Sequence, residues 1–133
     1  MKMEIKNGIL KRVYQSDVKN GTVDIPLSVQ KIGTNAFYNL MNFRKISIPR
    51  SVKKLHTKSF SNCRDLQMIE IKNEKCQISN CTFNCCENLE EVYMPNKLQY
   101  IRNNMFVNCD NVSKIHYNGH IYSIDDLIEY GRM

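Results

Sequence analysis

Apolar residues recur along this chain at a fixed spacing of 23 residues. Four of the five phenylalanines share one register, namely Phe37, Phe60, Phe83 and Phe106. Five further apolar columns keep the same period, and they are Leu40, Cys63, Cys86 and Cys109; Phe43, Leu66, Leu89 and Val112; Ile46, Ile69, Val92 and Ile115; Ile48, Ile71, Met94 and Tyr117; and Ile32, Leu55, Ile78 and Ile101. A unit of this length cannot bury its own apolar face, so the pattern predicts a solenoid with one continuous interior.

The repeat units span residues 25–47, 48–70, 71–93 and 94–117, and each is close to "IPxSVxxIxxxxFxNCxxLxxI". Residues 66–71 end in an apolar and polar alternation, which predicts a short strand in each coil. Successive strands would lie parallel, about 4.8 Å apart. The segment "SFSNC" has apolar residues at positions i and i+3, which predicts one helical turn on the far side of the coil. The column of Asn39, Asn62 and Asn108 is expected to bond to neighbouring backbone and so to join one coil to the next.

Both ends of such a solenoid need covers, because an open end exposes core and an unpaired strand edge. Residues 1–24 place Ile5, Ile9, Val13 and Val23 around two glycines, which predicts capping strands before the first coil. Residues 118–133 predict a helical cap at the other end. There Ser123 and Asp126 form an approximate capping box, the apolar stripe is Ile124, Leu127 and Ile128, and Gly131 is a plausible stop.

The stretch "IPLSVQKIGTNAFYNLMNFRKISIP" resembles the BspA-type leucine-rich repeats, and the likeness extends over about residues 5–117. The resemblance implies a single α/β repeat domain over residues 1–133. Its fold would be a right-handed superhelix with a parallel β-sheet on one face, short helical turns on the other, an N-terminal hairpin cap and a C-terminal helical cap. Repeat three departs most from the family pattern, at Lys72, Lys75 and Cys85, so irregular loops are expected there.

The family resemblance also implies protein–protein recognition, since BspA-type proteins are often surface adhesins of microbes. The formal charge of +6 is spread along 133 residues without a block of like charges. The N-terminal segment has no apolar run typical of a secretory signal, and no stretch approaches a membrane span. The chain as given is therefore expected in the cytoplasm with reduced thiols, or at a cell surface if an export segment has been removed.

The six cysteines fall into two groups. Cys63, Cys86 and Cys109 share the column of Leu40, so we expect them to fill the core as small hydrophobes. The other three are Cys76, Cys81 and Cys85. Polar residues stand at the positions equivalent to Cys76 and Cys81 in the other repeats, so these two are expected to face outward. Free thiols and a small metal or redox site are both open interpretations of the group.

The sequence offers no catalytic constellation. The spacing of His116 and His120 would suit a metal on a helix, but Asn118-Gly119 between them favours a turn. We therefore predict no catalytic residue, no metal site and no cofactor.

Repetition creates outward columns on the predicted strands, which are free of core constraint. One column is Lys45, Met68, Glu91 and Lys114, the next is Ser47, Glu70, Tyr93 and His116, and Arg44, Gln67, Glu90 and Ser113 lie alongside. Solenoids commonly bind partners on such a face, so the first eight residues are our candidate protein-binding site for a partner of unknown identity. A solvated face without a ligand is the plain alternative.

Nucleic-acid binding is a further alternative. It would use basic outward positions of repeat two, which are Arg50, Lys53, Lys54, Lys58 and Arg64. Such binding would weaken steeply with salt. The oligomeric state is not indicated by the sequence.

Overall fold

The structure is a computed structural model, and it describes residues 2–97, 101 and 104–132, with side chains as far as residue 130. The chain winds into a parallel β-solenoid of about four coils, which confirms the predicted fold class. Coils one to three each carry strands of two sheets, which we call the long-strand sheet and the short-strand sheet.

The long-strand sheet holds one strand from each of coils one to four and a fifth from the C-terminal cap. Its strands are β4 (Lys45–Ile48), β6 (Met68–Ile71), β8 (Glu91–Tyr93), β9 (Lys114–Tyr117) and β10 (His120–Tyr122), in the order β10-β9-β8-β6-β4. The pairs from β4 to β9 are parallel, and each residue faces the residue 23 positions later. Only β10 runs antiparallel to its neighbour.

The short-strand sheet was not foreseen from the sequence. Its strands are β1 (Glu4–Lys6), β2 (Ile9–Arg12), β3 (Lys31–Ile32), β5 (Lys54–Leu55) and β7 (Gln77–Ile78), in the order β1-β2-β3-β5-β7. The strands taken from the coils are only two residues long, so they are too short for a period-2 pattern to identify.

The apolar columns form one continuous interior, as predicted. Phe37, Phe60 and Phe83 are fully buried and Phe106 is almost so. The ring of Phe37 stacks on that of Phe60 with 4.5 Å between centroids, and Phe83 stacks on Phe106 at 5.4 Å. Phe60 and Phe83 are tilted at 5.9 Å. Offset stacks of this kind add to the burial of each ring.

The far side of each coil consists of consecutive β-turns and not of the expected helical turn. Asn39, Asn62, Cys85 and Asn108 all adopt positive φ near 60°, which a helix does not allow. Asparagine tolerates this left-handed conformation better than most residues. The main role of this column is therefore to allow the left-handed backbone conformation that the turn requires.

The expected asparagine ladder between coils is present, but it joins side chain to side chain. The amide of Asn62 donates to Oδ1 of Asn39 at 2.9 Å, and the amide of Asn108 contacts Sγ of Cys85 at 3.6 Å. Backbone bonds run beside it, as from the Phe37 N–H to the carbonyl of Ser59.

Both caps are present. At the N-terminus β1 and β2 form an antiparallel hairpin around Asn7-Gly8, both with positive φ, and β2 then pairs in parallel with β3. Leu10 is the buried residue of β2, whereas Ile5 is exposed.

At the C-terminus, helix α1 (Ile124–Arg132) follows the strands. Its Asp126 N–H donates to Oγ of Ser123 at 3.1 Å, so Ser123 caps the helix as predicted. Leu127 is the helix residue that enters the core. The predicted stop at Gly131 is wrong, since the helix continues to Arg132.

Candidate functional site

The two predicted columns lie side by side on the outer face of the long-strand sheet. Strand pairing aligns Lys45, Met68, Glu91 and Lys114 in one row and Ser47, Glu70, Tyr93 and His116 in the next, as expected from the period. The inward neighbours on the same strands, such as Ile69 and Val92, are fully buried. The alternation therefore leaves the eight candidate side chains to solvent, while their role in binding stays a prediction.

Three of these side chains form a compact cluster near the C-terminal end of the sheet. The ring of Tyr93 stacks on the imidazole of His116, with 4.0 Å between centroids and 8° between planes. Nε2 of His116 lies 2.7 Å from Oε2 of Glu91, and the Tyr93 hydroxyl donates to the same carboxylate oxygen at 3.4 Å. Each residue thus fixes the orientation of the other two.

The electrostatics of the cluster follow from these contacts. The hydrogen bond from His116 holds the pKa of Glu91 below its usual value. Partial loss of solvent and the nearby Glu91 carboxylate raise the pKa of Tyr93, so its hydroxyl stays a hydrogen-bond donor at neutral pH. Two coils earlier, Oγ of Ser47 donates to Oε1 of Glu70 at 2.6 Å. The face therefore presents carboxylates and a phenol in fixed positions.

A groove of about 810 Å³ runs along the carboxyl ends of these strands. Its floor includes Glu70, Tyr93 and His116, and its apolar rim includes the exposed Leu27 and Ile121. The remaining lining comes from the strand ends Ile71 and Tyr117, from the loops after the strands and from the terminal hairpin, and it consists of Pro49, Arg50, Ile71, Lys72, Glu74, Met94, Pro95, Asn96, Tyr117, Gly119 and His120. Sequence reasoning found the floor but missed these walls.

The basic residues of the nucleic-acid alternative do not share one face. Arg50 lines the groove, whereas Lys54 belongs to β5 in the other sheet. Lys58 lies in a turn with positive φ, and Nε of Arg64 donates to Asn62 on the far side. Lys53 is exposed between β4 and β5.

The cysteines of the core column are fully or almost fully buried, as predicted. Each thiol also donates to the backbone carbonyl of the phenylalanine 26 residues earlier, a contact that the sequence did not reveal. The Sγ–O distances are 2.8 Å from Cys63 to Phe37, 3.0 Å from Cys86 to Phe60 and 2.8 Å from Cys109 to Phe83. A hydrogen bond with Cys86, followed by burial, raises the pKa of Cys109. These thiols are structural.

The prediction that Cys76 faces outward is wrong. Cys76 is fully buried, and burial raises the pKa of its thiol to about 12. Its N–H closes a turn on the carbonyl of Asn73, whereas in the preceding coil the N–H of Val52 closes a turn on Pro49. The turn of repeat three is thus displaced by one residue, so Cys76 takes the apolar place and Lys75 is exposed.

Cys81 and Cys85 are partly exposed, and both have positive φ. All six cysteines are free thiols. No group of three or more potential metal ligands was found among the residues that the structure describes. His116 and His120 lie on the two strands of a hairpin, since Asn118 and Gly119 form the turn that their sequence favours.

The repeat family can now be compared with this geometry. A family model described as the BspA type leucine rich repeat region (6 copies) matches residues 7–129. The chain belongs to this family of BspA-type leucine-rich repeat proteins. None of the curated proteins is detectably similar to it. Within the part that the structure describes, there is no helix of the length and apolar character that a membrane crossing needs.

Two solved structures are similar to this BspA-type chain. A leucine-rich repeat protein from Bacteroides capillosus superimposes with a TM-score of 0.73 at 22% identity, over 82% of this chain and 85% of that one. A leucine rich cell surface protein from Faecalibacterium prausnitzii gives a TM-score of 0.57 at 27% identity, over 84% of this chain but only 35% of that one. The present chain thus matches about a third of the length of the cell-surface protein.

Proposed function

We propose that this BspA-type domain is a non-enzymatic protein-binding scaffold whose partner seats in the groove of the long-strand sheet. One observation carries the proposal: Tyr93 and His116, which line the groove, are held in a fixed cluster with the neighbouring Glu91. Fixed side chains lose little conformational freedom on binding, which is the advantage of a preorganised surface.

The chemistry of the groove favours a polypeptide partner of mixed character. Carboxylates at Glu70 and Glu74 lie among the basic Arg50 and Lys72, while Leu27 and Ile121 offer exposed apolar surface. Aromatic residues and arginine are enriched in protein interfaces, and mixed charge selects partners by complementarity. The ionised Glu91 and the protonated Tyr93 act in this proposal as acceptor and donor and not as catalysts.

The experiment compares recovery of native partners by three forms of the domain. The first is wild type, and the second, the groove variant, carries Tyr93→Ala in the groove with Lys45→Ala, Met68→Ala and Glu91→Ala on the sheet face beside it. The matched control removes the same residue types from exposed positions elsewhere, with Lys19→Ala, Met41→Ala, Glu87→Ala and Tyr38→Ala. A partner recovered from an extract of the source organism by wild type and control, but not by the groove variant, supports the proposal. Equal recovery by the groove variant contradicts it.

Adhesion at a cell surface is the second candidate, because one similar structure is that of a cell surface protein. The same groove would then meet partners outside the cell. Antibody labelling of intact cells before and after permeabilisation separates the two locations. Labelling of intact cells supports adhesion, whereas labelling only after permeabilisation supports an intracellular partner.

A further inference from the structure

The outer face of the short-strand sheet carries a row of lysines that the groove does not use. Strand pairing aligns Lys6 with Ile9, Ile9 with Lys31, Lys31 with Lys54, and Lys54 with Gln77. The inward neighbours on the coil strands are buried core residues, so these five side chains lie on the outside. We call this row, with the adjacent Lys11, the lysine strip.

The charge of the strip is not neutralised within the described part of the chain. Among those residues, Lys6, Lys11, Lys31 and Lys54 form no ion pair, and the ion pair that is found joins His116 to Glu91. Lys31 and Lys54 stand directly opposite each other on neighbouring strands, an arrangement of like charges that is destabilising in a sheet. An unpaired array of this kind lowers the stability of the folded state. A bound anion offsets this loss.

The positive charge of the lysine strip also acts on His56. It follows β5 and is half-buried beside the strip. Burial first, and then the charges of Lys54, Lys31 and Lys11, lower its pKa. Three lysines of the strip therefore act together at one point of the surface.

The shape of the strip selects among anionic partners. Strands β3, β5 and β7 are two residues long, so the flat surface is about 7 Å wide. From Lys6 to Lys54 there are three strand steps, or about 14 Å along the solenoid axis. A narrow straight row of this length matches a single linear polyanion and not the plane of a bilayer or the width of a duplex.

We propose that the lysine strip binds a linear acidic polysaccharide laid along the solenoid axis. The strip positions carry no aromatic ring, and base stacking on such rings is the main source of affinity for single-stranded nucleic acid. A peptide that binds by adding a strand needs an open sheet edge, but Lys31 and Lys54 lie on β3 and β5, which are paired with neighbouring strands on both sides. Flexible ammonium groups suit sulfate or carboxylate groups spaced along a sugar chain.

The test measures binding of a fluorescent heparin-derived hexasaccharide over a range of salt concentrations. Wild type is expected to bind saturably. The variant Lys31→Gln/Lys54→Gln should bind more weakly and lower the slope of log affinity against log salt by about two, one for each ammonium removed. The charge-matched control Lys19→Gln/Lys97→Gln removes two exposed lysines outside both the strip and the candidate protein-binding site, and it should keep wild-type affinity and slope.

A second readout places the ligand on the strip itself. Saturating hexasaccharide should raise the pKa of His56, followed by NMR, because a bound anion offsets the lysine charges. Equal loss of affinity in the two double variants would overturn the proposal, as net charge alone would then explain binding. Equal or tighter binding of single-stranded DNA of matched charge, or of phosphatidylserine vesicles, would also overturn it. The result does not depend on the groove, since Lys31→Gln/Lys54→Gln leaves every groove residue in place.

Discussion

The thiol of Cys86 donates a hydrogen bond to the backbone carbonyl of Phe60, with 3.0 Å between sulfur and oxygen. The same contact recurs one coil earlier and one coil later. Leucine replaces cysteine only at Leu40, where the equivalent carbonyl belongs to Tyr14 and accepts the N–H of Asp17 at 2.9 Å. Cysteine therefore occupies this column in the coils where the phenylalanine carbonyl accepts a hydrogen bond from a side chain.

We predict that Cys86→Ala lowers the free energy of unfolding by about 1–3 kcal/mol, through lost packing and a buried carbonyl without its donor. Cys86→Val restores volume but not the donor, so it should recover only part of that loss. Urea denaturation under reducing conditions measures both. Full stability of Cys86→Val would show that the thiol only fills space.

Ser59 presents the opposite case, a buried hydroxyl without a bond. It is fully buried, and its Oγ has no hydrogen-bond partner among the described groups. The equivalent residue is Ala36 one coil earlier and Thr82 one coil later, where Oγ1 donates to the carbonyl of Ser79 at 2.6 Å. Ser59→Ala should raise the free energy of unfolding by about 1 kcal/mol, because an unsatisfied buried hydroxyl is costly.

Thr82→Ala is the matched control for Ser59→Ala, since it removes a hydroxyl that is bonded. Thermal denaturation should therefore move in opposite directions for the two variants. A lower melting temperature for Ser59→Ala would mean that its hydroxyl has a partner in solution.

The thiols are expected to separate into two classes in the native protein. Cys81 and Cys85 are partly exposed, while the other four cysteines are buried. A maleimide should therefore modify two thiols quickly and four only on the time scale of unfolding, because modification requires access. Mass spectrometry of peptides identifies the sites, with Cys81→Ser/Cys85→Ser as the control that should show no fast phase. Modification of Cys76 as fast as Cys81 would contradict its burial.

Cys76 also shows where sequence reasoning fails. The 23-residue period correctly placed the core columns and the outward rows, because each coil repeats one backbone path. Repeat three lacks the proline found at Pro49, and its turn closes on Asn73 one residue later than the period implies. A shift of one residue exchanges the buried and exposed positions. An alignment of the repeats at a fixed spacing of 23 residues does not detect such a shift.

The groove was only half predictable for a related reason. Its floor comes from repeated strands, whereas most of its walls come from the loops that follow the strands and from β10. The Asn118-Gly119 pair predicts a turn, and it is also the sequence signal for a hairpin, so β10 has a recognisable signature. The two-residue strands of the short-strand sheet have no such signature in the sequence, since a strand such as Lys54–Leu55 is too short to show a periodic pattern.

The remaining prediction concerns stability as pH falls from 7.5 to 5.5, a range around the usual histidine pKa of 6.5. Burial and then the strip lysines lower its pKa in the folded protein from the usual 6.5. The unfolded chain therefore takes up a proton more readily than the folded one. The contribution of His56 to stability is fully present above pH 6.5 and is lost as pH falls toward the folded-state pKa.

The variant His56→Gln removes this titration and keeps a polar side chain of similar size. Its free energy of unfolding should fall less steeply than that of wild type over this pH range. All other ionisable groups are the same in the two proteins, so the difference between the two curves isolates His56. Parallel curves would mean that the folded and unfolded states bind the His56 proton equally well, and that the lysine field does not reach the imidazole.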